Sequence, residues 1–131
     1  MQYQTNLNRQ QLVELVLTQY FANIDRKDLD GTLACFHDCA LVTVQTSFAL
    51  HEGTASVRRM FADLFARHTR IAHKNVNCTV DEKNGRIAAS YIEELVANDG
   101  VPTVFENTAF WRLRADRFQE LYVYVSGAQS H

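Results

Sequence analysis

Residues 71–97 read Ile71-Ala-His-Lys-Asn-Val-Asn-Cys-Thr-Val-Asp-Glu-Lys-Asn-Gly-Arg-Ile-Ala-Ala-Ser-Tyr-Ile-Glu-Glu-Leu-Val-Ala97. Two long runs rich in Val, Ile and Tyr, 71–81 and 86–97, flank Asn84-Gly85, the dipeptide that a tight hairpin turn with positive φ selects. Two more such runs follow, 102–114 and 117–126, the first entered through Asn98-Asp99-Gly100. Pro102 is the only proline and opens its strand, where a missing N–H does least harm. The second half of the chain is therefore read as a largely antiparallel meander.

The texture upstream is different. Val13, Val16, Leu17, Tyr20, Phe21 and Ile24 fall on one stripe of a helix. Asn8 is placed to cap it, with Gln11 three residues on able to reach back. A short second helix follows Asp28 as its cap, with Leu29, Leu33 and Phe36 on one side. Residues 40–46 read as a strand through the β-branched Val42, Thr43 and Val44. A third helix over 54–67 turns Val57, Met60, Phe61, Leu64 and Phe65 inward, and His68 continues it on the last turn, where a cationic ring suits the negative helix end. Helices first and strands after make one α+β domain, three N-terminal helices packed on one face of a curved, mostly antiparallel sheet.

Composition narrows the function. The chain has 131 residues, 47% hydrophobic and 21% charged, enough for a core without metal or disulfide staples. Thirteen Lys and Arg against fifteen Asp and Glu leave no basic excess for a phosphate backbone, so nucleic acid is not an expected partner. No apolar run reaches membrane-span length, and the polar start, Met1 to Arg9, lacks the core of a secretory signal. A cytoplasmic setting is expected. Cys35, Cys39 and Cys78 are odd in number and lack paired spacing, so they are read as small buried hydrophobes. His37, His51, His68, His73 and His131 fall on different elements without ligand spacing, so no metal site is expected.

The order of elements, with the segments Tyr20-Phe-Ala-Asn-Ile-Asp-Arg-Lys-Asp28-Leu-Asp-Gly31, Phe36-His-Asp-Cys-Ala40 and Gly53 before the third helix, resembles the nuclear transport factor 2-like superfamily. That group includes the SnoaL-like polyketide cyclases and ketosteroid isomerase, and the resemblance covers nearly the whole chain, 1–131. It implies a sheet wrapped into a cone around an internal pocket closed by the helices. It also implies a homodimer formed through the outer sheet faces and a small hydrophobic organic ligand, with no cofactor. Matched residue by residue to ketosteroid isomerase, Tyr20 falls on the oxyanion-hole tyrosine. Val44 stands where the base aspartate belongs, however, and Ala109 where the second donor belongs. Neither moves a proton, so steroid isomerisation is not expected.

The strand after the third helix carries His73, Asn75, Asn77 and Thr79 on one face by the period of two, with Ala72, Val76, Cys78 and Val80 on the other. Such a histidine resembles the pocket acid–base group of SnoaL-like and scytalone-dehydratase-like relatives. Period two does not say which face is buried, so a solvated or dimer-facing polar row is the other reading. If His73 faces inward, Tyr20 or a helix-one carboxylate such as Asp25 lies within its reach, walled by Val42, Val44, Phe61 and Phe65. Glu93 interrupts the apolar row Ile87, Ala89, Tyr91, Leu95, and is either a buried acid–base group or one turned outward and paired. Asn107 shares a face with Ala109, Trp111 and Leu113, and Tyr124 ends a Tyr-x-Ser that resembles the family's Tyr-x-Asp. Two functions follow: a cofactor-independent isomerase, dehydratase or cyclase with His73 catalytic and Tyr20, Val44, Phe61, Phe65, Glu93, Asn107 and Tyr124 in the pocket, or a non-catalytic ligand-binding or assembly domain.

Overall fold

A computed structural model describes residues 4–130, with side chains through 126, so Met1–Tyr3 and His131 lie outside the described residues. α1 (Arg9–Glu14) is capped by Asn8 and Gln11 in a reciprocal capping box. It runs without a break through a π-helical segment (Leu15–Phe21) into α2 (Ala22–Asp25). The wider π turn rotates the inward stripe, so that Leu12, Leu15, Val16, Tyr20, Phe21 and Ile24 are buried, while Val13 and Leu17 are only partly covered. Asp28 caps the short α3 (Leu29–Leu33) by accepting from the Gly31 N–H. α4 (Thr54–Arg67) starts at Gly53, whose φ of 84° suits glycine, and buries Val57, Phe61 and Phe65.

The sheet order is β2-β1-β6-β5-β4-β3. Its strands are β1 (Phe36–Val44), β2 (Ala49–Glu52), β3 (His68–Asp81), β4 (Arg86–Ala97), β5 (Pro102–Arg114) and β6 (Arg117–Ser130). All neighbours are antiparallel except β1 and β6, which run parallel. The short edge strand β2 was not expected from the sequence, and β1 begins four residues earlier than its β-branched centre suggested. His68 is the first residue of β3 rather than part of the helix. Its ring nitrogen Nδ1 nevertheless sits 2.7 Å from the Leu64 carbonyl, at the negative end of α4.

Two irregularities in the ladders decide which side chains meet. In β3 the pairing slips between Lys74 and Asn77, with Asn75 at φ 54°. In β6 the extra residue is Gln119, between the pairs Leu113↔Phe118 and Arg112↔Glu120. A bulge inserts one residue and so inverts the inside–outside parity beyond it. After Asn75, Val76, Cys78 and Val80 pack on the core while Asn77 and Thr79 are exposed. After Gln119 the inward residues are Leu121, Val123 and Val125, and Tyr124 lies outside. The row of four polar residues on one face of β3 therefore does not exist; His73 is inward and its expected companions are not.

The core between helices and sheet centres on Leu12, Val57, Trp111, Leu113, Phe118 and Leu121, each fully buried. Cys35 is in it, and burial pushes its thiol up to about 11. Cys39 is exposed, contrary to its reading as a core residue.

Candidate active site

The register of the meander assembles the site. β3 pairs with β4 so that His73 lies opposite Glu93, and β4 pairs with β5 so that Tyr91 lies opposite Asn107, diagonal to Glu93. Directly opposed side chains on one face of an antiparallel pair stand about 5 Å apart at Cβ, within reach of a hydrogen bond. His73 Nε2 is 3.1 Å from Glu93 Oε2, and Glu93 Oε1 accepts from Asn107 Nδ2 at 3.3 Å.

The helix supplies the rest. α2 ends against β3, an edge strand whose outward N–H groups have no neighbouring strand. Asp25 takes the place of one: its Oδ2 accepts from the His73 backbone N–H at 3.2 Å, and its Oδ1 lies 2.6 Å from His73 Nδ1. Four residues earlier on the same helical body, Phe21 stacks on the imidazole, centroids 4.3 Å apart and planes within 18°. The ring is thus fixed from four directions: a carboxylate on each nitrogen, a backbone anchor and an aromatic face. Its side chain is only 4% exposed.

These contacts set the charge. Desolvation pulls the imidazole pKa down, but hydrogen bonds and charge from Asp25 and Glu93 outweigh it, and the net direction is up from 6.5. A histidine flanked by two carboxylates is held as imidazolium, donating from both nitrogens. Because the folded pKa is raised, the stability this group contributes is fully present below the unfolded value of about 6.5 and is lost as pH rises through the folded pKa. Urea unfolding followed upward from pH 6 should therefore show a decline that a His73→Gln variant lacks; equal slopes in the two proteins would contradict the assignment.

A cavity of about 260 Å³ opens beside this cluster. Phe21, Ile24, Val44, Met60, Phe61 and Leu121 form much of its wall, so the polar atoms of His73, Glu93, Asn107, Tyr20 and Tyr91 stand out from an apolar lining. Burial, then the neighbouring Tyr91 and Glu93, pushes the Tyr20 phenol well above its ordinary value. Burial and Glu93 do the same to Tyr91, against a smaller opposing pull from Asn107. Both phenols keep their protons near neutrality and can donate to a substrate oxygen. The buried Asn107 Oδ1 has no hydrogen-bond partner. No group of three or more His, Cys, Asp or Glu side chains among the described residues is arranged to hold a metal ion.

Of the residues singled out from sequence, His73, Tyr20, Val44, Phe61, Glu93 and Asn107 line this one cavity. Two others are placed elsewhere. Phe65 packs behind Phe61 in the core, centroids 6.2 Å apart, rather than on the cavity wall. Tyr124 is 46% exposed on the opposite face of the sheet, edge-on to Phe110, because the bulge at Gln119 reversed its parity. Phe21 and Arg67 line the cavity as well. The sequence puts Phe21 on the inward helical stripe, and Arg67 in a basic group with Arg58, Arg59, Arg70 and Lys74 at the end of the third helix that reads either as a solvated rim or as one that attracts an anionic ligand to the pocket mouth.

Comparison with known proteins places this geometry. Residues 17–121 match the SnoaL-like domain family. No curated protein matches the sequence. Among solved structures, a candidate aromatic ring hydroxylase from Novosphingobium aromaticivorans superposes with a TM-score of 0.85 at 20% identity, over 95% of this chain and 93% of that one. A candidate polyketide cyclase from Xanthomonas campestris gives 0.81 at 21% identity, over 92% and 93%. The Δ5-3-ketosteroid isomerase from a Mycobacterium species gives 0.80 at 14% identity, over 92% and 98%. At these identities the likeness is one of fold.

Proposed function

Because the chain belongs to the SnoaL-like domain family, we propose that it is a cofactor-independent enzyme that moves a proton on a small, mainly apolar organic molecule, in an isomerisation, dehydration or cyclisation. The observation that carries this reading is the chain Asp25···His73···Glu93 set into an apolar cavity. Glu93 is the proton acceptor: it faces the cavity, and Asn107 and the imidazolium orient its two oxygens. His73 is the acid of the pair, since its Nε2–H can follow a departing oxygen once Glu93 has shifted to the substrate. One couple thus supplies both halves of a proton relocation. Tyr20, protonated and buried, donates to the substrate oxygen on which charge develops. Val44 and Ala109 offer no carboxylate, so the base sits on β4 rather than at the isomerase position.

The test needs no knowledge of the natural substrate. A panel of small cyclic ketones and enones incubated in D2O and read by NMR should take up deuterium faster with the protein than without it, and Glu93→Gln should remove the difference. No protein-dependent exchange, or exchange unaffected by the substitution, would contradict the proposal. A ligand-binding or assembly domain is the second reading. One observation favours it: both nitrogens of His73 are already satisfied without a substrate.

The same proposal makes the molecule a cytoplasmic homodimer. Cys35, Cys39 and Cys78 are all free thiols, as a reducing compartment leaves them. On the outer sheet face Phe110 and Tyr124 form an edge-on pair, 44% and 46% exposed, an apolar contact that a second sheet would cover. Sedimentation equilibrium at micromolar concentration should return twice the mass of the chain; the mass of one chain would refute the dimer.

A further inference from the structure

The cavity is smaller than the roughly 300–1,000 Å³ typical of small-molecule sites, and it does not end at its mouth. A second, wider groove runs along α4 and shares Val44, Met60 and Arg67 with it. Outside these shared residues the groove carries polar side chains, His51 on β2 and Ser56, Arg59 and Asp63 on α4, with Ala62 between them.

Helix geometry explains the arrangement. Arg59, Asp63 and Arg67 fall at i, i+4 and i+8, one file along α4, while Met60 and Leu64 on the adjoining file face the cavity. Arg67 Nε donates to the Asp63 carbonyl at 3.4 Å and lies 3.2 Å from Asp63 Oδ2 in an ion pair. This bond grips the guanidinium by its inner nitrogen and leaves the two terminal NH2 groups, a planar fork suited to an oxyanion, at the mouth. Arg59 has no acidic partner among the described residues. The groove therefore carries two guanidinium charges against one carboxylate. Deeper in, Asp25 and Glu93 outnumber the His73 imidazolium, so the inner site repels anions and the rim attracts them.

We propose that the site takes a two-part ligand, an uncharged ring body in the cavity and an oxyanion, carboxylate or phosphate ester, at the mouth on Arg67 and Arg59. This rests on reading the cavity as a small-molecule site, and it adds the substrate class and its orientation: the reacting carbon enters first and the anionic end stays on the rim. The charge pattern enforces that direction, since the reversed pose puts the oxyanion beside Glu93.

The test is equilibrium binding, which does not depend on turnover. 2-Naphthylacetate, 2-naphthyl phosphate and the uncharged 2-naphthylacetamide are titrated by calorimetry at low salt against the whole chain and against Arg59→Gln/Arg67→Gln, with thermal unfolding confirming that the variant is folded. At least one anion should bind about tenfold tighter than the amide, as expected for charge-assisted hydrogen bonds to a guanidinium fork. That ratio should fall to about one in the double variant and shrink in 0.5 M salt. The tighter of the two anions identifies the oxyanion. Equal affinity for anion and amide, or a ratio that survives the substitutions, would overturn the anionic rim while leaving the proton-transfer proposal standing. Failure of all three probes to bind would overturn both.

Discussion

Glu93→Gln should lower turnover by about 10²- to 10⁴-fold, the range a positioned general base supplies, while leaving the fold intact. Glutamine has the size of glutamate, so the cavity wall and the contact with Asn107 survive; what is lost is the charge and the basicity. The effect reaches His73. With Glu93 neutral, desolvation still pulls the imidazole pKa down and only Asp25 holds it up, so the histidine should titrate lower than in the parent protein. A substitution that lowered turnover without moving His73 would mean that the two are not coupled, and parental turnover would remove Glu93 from the chemistry.

His73→Ala should be the most destabilising single change in the site, by about 3 to 5 kcal/mol, or a fall in Tm on the order of 10 °C. The alanine leaves two carboxylates facing a vacated space, Asp25 without the ring that its Oδ1 engaged and Glu93 without the cation that neutralised it. Phe21 loses its stacked partner as well. Water offsets part of the cost, since the carboxylate side chains are 31% and 18% exposed, so the lower end of the range is expected. Thermal unfolding checks it. A loss under 1 kcal/mol would mean that the cluster does not hold α2 against β3.

Much of this architecture was legible because β4 and β5 are uninterrupted. Ile87, Ala89, Tyr91 and Glu93 alternate inward without a slip, as do Asn107, Ala109, Trp111 and Leu113, and period two placed all eight on one face. β3 and β6 failed the same rule for one physical reason. A bulge adds a residue without changing composition, so nothing in the alternation warns that parity inverts at Asn75 or Gln119. The one hint was chemical: asparagine tolerates the positive φ that Asn75 adopts. In the first helix, the π segment similarly moved the stripe by part of a turn. It left Phe21 and Asp25 able to reach the same imidazole, a convergence that a regular 3.6-residue repeat does not reveal. His73 was legible by residue type and Asp25 as a carboxylate within reach. The pairing with Glu93 needed the exact register of two strands.

The central claim is that a protonated His73 bridges Asp25 and Glu93 inside the cavity, and ¹⁵N-detected NMR of the imidazole tests it most directly. The ring should titrate above 6.5 in the parent chain, with both nitrogens protonated below that pKa, and lower in Glu93→Gln. A ring that titrates at or below 6.5 and is unmoved by that substitution would contradict it.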